Sequence, residues 1–172
     1  MSETLEAALQ YAARGWRVFP VPPNTKKSYI SGKGTGKGRW GQSNDPSEIT
    51  RLWTKYKAAN IGLPTGQEQG FFVVETDTQD AHDVDGAYEL DELQLRHGNL
   101  PPTLTAQSPS GSTHYYFKHP GGKVFNSAGA IGPGIDVRGD GGMVVAPPSV
   151  RKDGVYVWLN DVAIADAPTW LL

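Results

Sequence analysis

The run FFVVETD, Phe71 to Asp77, closes an apolar stretch with two carboxylates spaced two residues apart. Phe, Val and Thr favour a pleated, buried strand, and a period of two puts Glu75 and Asp77 on one face, about 6.5 Å apart along the chain. A second run, GIDVRGDGG from Gly134 to Gly142, alternates Ile135 and Val137 with Asp136 and Arg138, again strand-like with its polar residues on one side. If the two strands lie side by side, about 4.8 Å apart, three carboxylates converge. At ~5 Å and an effective dielectric of ~20, each ionised pair repels by roughly 3 kcal/mol. Such a cluster needs cations or raised pKa values, and a hard divalent metal is the natural answer. The plainer alternative is solvated strand-end acids, or acids paired with Arg138.

Between the two runs lies SPSGSTHYYF, Ser108 to Phe117, a Ser/Pro/Gly turn leading into an alternating strand on which His114 and Tyr116 share a face. The order of acid-x-acid, a Ser-Gly turn followed by His and YF, then GIDVRGDGG and VVAPPS resembles the primase-polymerase (Prim-Pol) domains of the archaeo-eukaryotic primase superfamily, of the N-terminal bifunctional DNA primase/polymerase type. YAARGWRVFPV near the start, NIGLPTG, GNLPPT and the closing PTWLL look like the same family, so the resemblance covers nearly the whole chain.

The resemblance implies an α+β fold of the primase-superfamily catalytic core, an N-terminal αβ module packed on an RNA-recognition-like module. On that basis residues 1–172 form one catalytic domain, with an αβ part carrying a basic loop over 1–70 and the acidic site over 71–172. It also implies nucleotidyl transfer as a DNA primase and/or DNA polymerase in plasmid, phage or mobile-element replication. A 3′-hydroxyl would attack the α-phosphate of an incoming nucleoside triphosphate and expel pyrophosphate, a reaction suited to two divalent ions, Mg²⁺ or Mn²⁺. Glu75, Asp77 and Asp136 match the family's metal-binding carboxylates, although Asp is usual where Glu75 stands. Ser110, Ser112 and His114 fall in the motif that contacts nucleotide phosphates, and Arg138 is placed to hold a triphosphate or to pair with one of the acids. The implied partners are nucleoside triphosphates, a single-stranded or primed DNA template, and a helicase; the helicase domain often fused behind the core is expected not to be part of this chain. Two other classes compete: a non-catalytic single-strand-binding module that keeps the fold, favoured by the Glu at 75, and a metal-dependent nuclease, which shares the acids but not the His-strand and Arg-strand pattern.

The elements that must position these residues are legible in outline. With 172 residues, 38% of them apolar, the chain can bury a sizeable core as one domain or as two small modules sharing a sheet. Cysteine is absent, which excludes disulfides and thiolate zinc sites, so no zinc is expected. No apolar run approaches the ~20 residues of a membrane span, and no signal-peptide layout opens the chain; no membrane partner and a cytoplasmic location in a bacterial, phage or plasmid setting are the expectation. The net charge of -2 hides an asymmetry: residues 1–60 hold ten Lys or Arg against four Asp or Glu, while residues 61–172 hold six against fourteen. A basic front suits a polyanion partner. Its centre is the Gly-rich loop from Asn24 to Gly41, which has no acid; there Lys33, Lys37 and Arg39 are candidate nucleic-acid contacts, and a bare surface loop is the alternative. GKGRWG within it matches a dinucleotide fingerprint only by letter.

Apolar spacing predicts a first helix through Leu5, Ala8, Leu9 and Ala12, a strand from Trp16 to Val21, and a second helix capped by Asp45, Pro46 and Glu48. Trp53 and Tyr56 fall on that helix's apolar stripe and are expected in the core rather than as base-stacking platforms. A short strand at Ile61–Leu63, a third helix over Gly86–His97, a hairpin of Thr103–Gln107 with Thr113–Lys118, and strands at Met143–Ala146 and Tyr156–Leu159 complete an α+β pattern. Asp80, His82, Asp83 and Asp85 read as loop and helix-start residues rather than metal ligands, and His97 as a surface residue.

Overall fold

Two units divide the chain, each built from two stretches: residues 1–64 with 143–157, and residues 65–142 with 158–172. The sequence places a single boundary near residue 70; the chain instead leaves the first unit at Pro64 and returns to it at Met143. The computed structural model describes residues 1–32 and 36–172, the side chains of residues 36–38, Ala81 and His82 apart. Among the described residues no helix is long and apolar enough to cross a membrane.

In the first unit, helix α1 (Glu3–Ala13) starts at Ser2, whose hydroxyl accepts from the Leu5 N–H at 3.2 Å, and buries Ala8, Tyr11 and Ala12. Helix α2 (Pro46–Lys55) has Asp45 as its cap, accepting from the Ser47 N–H at 2.7 Å, and buries Ile49, Leu52 and Trp53. A cap of this kind is worth about 1 kcal/mol. Strand β1 (Phe19–Val21) pairs antiparallel with β2 (Asn60–Pro64). The predicted strand from Trp16 is therefore shorter, since only its last three residues join the ladder. Phe19 lies opposite Gly62, and a Cβ at Gly62 would overlap the Phe19 ring. Glycine is thus the residue that lets Phe19 lie across the strand pair into the core with Val21, Val145 and Tyr156.

The second unit is organised by strand β3 (Phe71–Thr76), buried along its whole length. On one side it pairs antiparallel with β5 (Thr113–Lys118), on the other with β7 (Ile135–Arg138). β4 (Thr105–Gln107) extends the sheet beyond β5, and β6 (Ser127–Gly132) extends it beyond β7. Strand β8 (Met143–Ala146) returns to the first unit and pairs with β2. Near the C-terminus a two-residue strand, Ala165–Asp166, runs parallel to the end of β5 where β4 no longer covers it. Period-two alternation splits the sheet's faces. Phe72 and Val74 of β3, with Phe117, Ile135 and Val137, form a core with Leu90 and Leu171, and Leu90 belongs to the helix spanning Gly86–His97. The opposite face carries Val73 and Glu75, with Tyr116 and His114 from β5 and Arg138 and Asp136 from β7.

Candidate active site

Glu75 sits in the middle of that second face, with His114 directly across on β5 and Asp136 directly across on β7. Opposed residues of antiparallel strands stand about 4.5 to 5.5 Å apart, so imidazole and two carboxylates form a row over three strands. Arg138, two residues beyond Asp136 and on the same face, closes the row. Its Nε and Nη2 donate to Glu75 Oε2 at 3.0 and 2.9 Å, and Nη2 also donates to Asp136 Oδ2 at 3.1 Å. His114 Nε2 lies 3.7 Å from the other Glu75 oxygen. Glu75 and His114 are buried, whereas Asp136 and Asp77 are half-buried.

Asp77 follows the last residue of β3, and its backbone is held on both sides: its N–H donates to Gly134 O at 2.8 Å and its carbonyl accepts from Gly86 N at 2.9 Å. The Ser112 hydroxyl donates to Asp77 Oδ1 at 3.3 Å. Ser112 is aimed there by a tight turn in which Ser108 N–H donates to Ser112 O and Gly111 N–H to Ser108 O, with Gly111 at φ +88°, a conformation that favours glycine. Thr78 Oγ1 donates to the Ser110 carbonyl at 3.0 Å, tying the turn to the end of β3, and the Ser110 hydroxyl lies 3.0 Å from that of Ser108.

Burial pushes the Asp136 carboxyl above the ordinary range; Arg138 draws it back, Asp77 and Glu75 drive it up again, and a backbone N–H from Gly129 draws it down. The net direction is upward. For Arg138, burial opposes the charge, but Glu75, Asp136 and Asp77 outweigh it and raise the pKa. Asp77 is thus close enough to act on both residues, and the four ionisable groups form one electrostatic unit.

The sequence of the chain matches the family model of the bifunctional DNA primase/polymerase, N-terminal (Prim-Pol), over residues 8–170. The chain belongs to the Prim-Pol family. Its class is therefore that of a primase/polymerase-type nucleotidyltransferase, with nucleotides and DNA as substrates. Among individual curated proteins, none matches the chain significantly.

Within this Prim-Pol chain, seven of the residues singled out from sequence fall in the second unit. Glu75, His114, Asp136 and Arg138 are brought together directly; Asp77 joins them electrostatically, and Ser112 touches Asp77. The Ser110 hydroxyl turns to Ser108. Of the basic-loop candidates, Lys33 and the Lys37 side chain lie outside the described residues, and the Arg39 guanidinium lies over the Trp40 ring, 4.1 Å from its centre. Among the described residues, no three His, Asp or Glu groups are gathered as a metal-holding set. Arg138 takes up one Glu75 oxygen, Oε2, with two of its donors.

Two contributors had no usable signal in the sequence. Gly129 reaches Asp136 because β6 slips register between Ala128 and Gly132, a bulge that a Gly/Ala/Ser run does not announce. Gly86 packs so tightly that a Cβ would overlap the Gly134 carbonyl and come 2.8 Å from the Asp77 nitrogen. Gly86→Ala is therefore expected to push Asp77 out of register, costing about 1 to 3 kcal/mol as other overpacked positions do. A thermal melt together with an incorporation assay checks this; an unchanged melt and full activity would show that the turn yields without moving Asp77.

Proposed function

We propose that this chain performs template-directed nucleotide addition, as a DNA primase and/or DNA polymerase, with Mg²⁺ or Mn²⁺. The observation that carries the proposal is the gathering of Glu75, Asp136 and Arg138 on one face of two adjacent strands, with Asp77 just past the end of one of them and close enough to act on Asp136. Asp77 and Asp136 fit a hard divalent ion: both are half-buried oxygen donors, and Asp136 carries a raised pKa that a cation would relieve. Glu75 is held by Arg138 in this arrangement and becomes a third ligand only if the guanidinium moves aside. When bound, the ions lower the pKa of the attacking 3′-hydroxyl and steady the leaving oxygens.

The chain's own residues supply placement and charge. Ser112 fixes the Asp77 carboxylate; the Gly129 N–H and Arg138 fix that of Asp136. With Nε and Nη2 of Arg138 engaged by the acids, its Nη1 hydrogens are left to grip a triphosphate oxygen, and a guanidinium stays charged at every working pH. His114 borders the same row and serves as a phosphate donor, with Ser110 and Ser112 at the turn beside it. A role in plasmid, phage or mobile-element replication is consistent with this activity.

Labelled nucleotide, offered with Mg²⁺ or Mn²⁺ on primed and on unprimed single-stranded DNA, tests the proposal. Extension of the primer marks a polymerase and products on the unprimed strand a primase. Binding of the strand without incorporation would point to a non-catalytic module, and shortening of the strand to a nuclease.

A further inference from the structure

Tyr56 stands where the apolar stripe of α2 predicts a core residue, yet it is only half-buried, unlike Trp53 three residues earlier, which is 3% exposed. Its ring lies almost parallel to that of Tyr29, with centroids 4.3 Å apart and an interplanar angle of 13°. Tyr29 keeps 37% of its surface exposed even with Tyr56 against it. The Lys55 ammonium sits 5.1 Å from the Tyr56 ring centre. Lys26 and Lys27 precede Tyr29 and Lys57 follows Tyr56, all of them exposed. The acids of residues 1–60 sit at helix starts: Glu3 and Glu6 on the first turn of α1, Asp45 capping α2, and Glu48 on the first turn of α2, held by Arg51 at 2.6 Å.

The backbone that presents Tyr29 is fixed. Its N–H donates to Pro20 O on β1 at 3.1 Å. The neighbouring Ser28 hydroxyl donates to Trp40 O at 3.0 Å and accepts from the Ile30 N–H at 3.0 Å. A partly exposed aromatic pair on an anchored backbone, with Lys55 against one ring and further exposed lysines close by in sequence, has the chemistry of a base-stacking platform. Aromatic rings offer a π-face to any base, and the cations track the phosphates.

We infer that Tyr29 and Tyr56, flanked by Lys55, form a binding site for single-stranded DNA in the first unit, with an unpaired base stacking on the exposed Tyr29 ring. The inference rests on the reading of the chain as an enzyme of single-stranded DNA, but the site requires neither metal nor nucleotide. A duplex, whose bases already stack on one another, has no face to offer it.

Fluorescence anisotropy with the full chain in EDTA separates the two questions, using labelled oligo(dT) and an abasic oligonucleotide of equal length. The wild type is expected to prefer oligo(dT). Tyr29→Ala should bind oligo(dT) about tenfold more weakly, as loss of one stacked base requires, while Tyr29→Phe keeps the affinity. Lys55→Ala should lower the slope of log affinity against log salt by about 0.7, the share of one phosphate on a single strand. Equal wild-type binding of both oligonucleotides, or undiminished preference for oligo(dT) in a Tyr29→Ala protein that melts like the wild type, would overturn the site. Stacking-dependent binding by a chain that incorporates no nucleotide would leave the site standing and remove the proposed activity instead.

Discussion

Asp136→Asn and Asp77→Asn are each expected to abolish nucleotide incorporation, and Asp136→Asn should at the same time raise the melting temperature of the metal-free protein at pH 7. The loss of activity follows from the two oxygen donors that remain exposed to an ion; at about 4 kcal/mol of transition-state charge stabilisation it amounts to about a thousandfold in rate. The gain in stability follows from the sign of the Asp136 shift. Burial raises its pKa in the folded protein, Arg138 lowers it, and Asp77 and Glu75 raise it further, leaving it above the ordinary value. A carboxyl with a raised folded pKa binds more protons folded than unfolded, so stability falls as pH climbs from the unfolded value, about 3.9, through the folded one. Above that window the penalty is complete; below it there is none. The Asn variant should therefore melt higher than wild type at pH 7 and lose that advantage near pH 3.5. Arg138 keeps its two contacts to Glu75, which preserves the ion pair in the variant. Calorimetry at the two pH values in EDTA, with incorporation assayed alongside, checks both halves. Wild-type incorporation by both variants would remove these carboxylates from the chemistry.

The central strand was legible because FFVVETD combines β-forming residues with period-two polarity; that Glu75 and Asp136 face each other was only a condition of the sequence reading, met by the pairing of β3 with β7. The helices over Pro46–Lys55 and Gly86–His97 were legible from caps and stripes, which are local. What the sequence did not carry was non-local. The division at Pro64 and the return at Met143 depend on β8 pairing with β2 across roughly eighty residues of chain, and no local signal marks a strand's partner. Strand β6, written SAGAIG, has neither the β-propensity nor the alternation that announces a strand; it forms because β7 offers it a ladder. Tyr56 was misplaced for a related reason. The stripe gave its angular position, but at the last turn of the helix the neighbour on that face is Tyr29 rather than core, so the ring stays half open.

Arg138→Met is expected to lower the melting temperature of the metal-free protein by about 5 to 10 °C, and divalent ion should restore most of the loss. Arg138 makes two contacts with Glu75, which is 7% exposed, and one with Asp136. Glu75 and Asp136 face each other on adjacent strands, so without the guanidinium two carboxylates are left opposed, repelling by roughly 3 kcal/mol at ~5 Å. Breaking a buried pair by removing one partner costs about 3 to 5 kcal/mol. Because the Arg138 side chain is 33% exposed, solvent screens part of it, leaving about 2 to 3 kcal/mol. For a chain of this size each kcal/mol moves the melt by about 2 to 4 °C. Methionine keeps an apolar stem in place of the arginine's and removes the guanidinium with its charge and its three hydrogen bonds to the acids, so the fall reports chiefly the lost ion pair. Mg²⁺ or Mn²⁺ should bind between the freed carboxylates and stabilise Arg138→Met far more than wild type, with Mn²⁺ effective at the lower concentration. The double variant Glu75→Gln with Arg138→Met, which has no opposed pair, should melt above the single Arg138→Met in EDTA. Its response to metal then decides the place of Glu75. Stabilisation of the single variant but not of the double would make Glu75 a ligand once the guanidinium leaves; equal stabilisation of both would assign the ion to Asp77 and Asp136. A single Arg138→Met that melts with the wild type in EDTA would show that the acids of this face are neutralised by something other than the guanidinium.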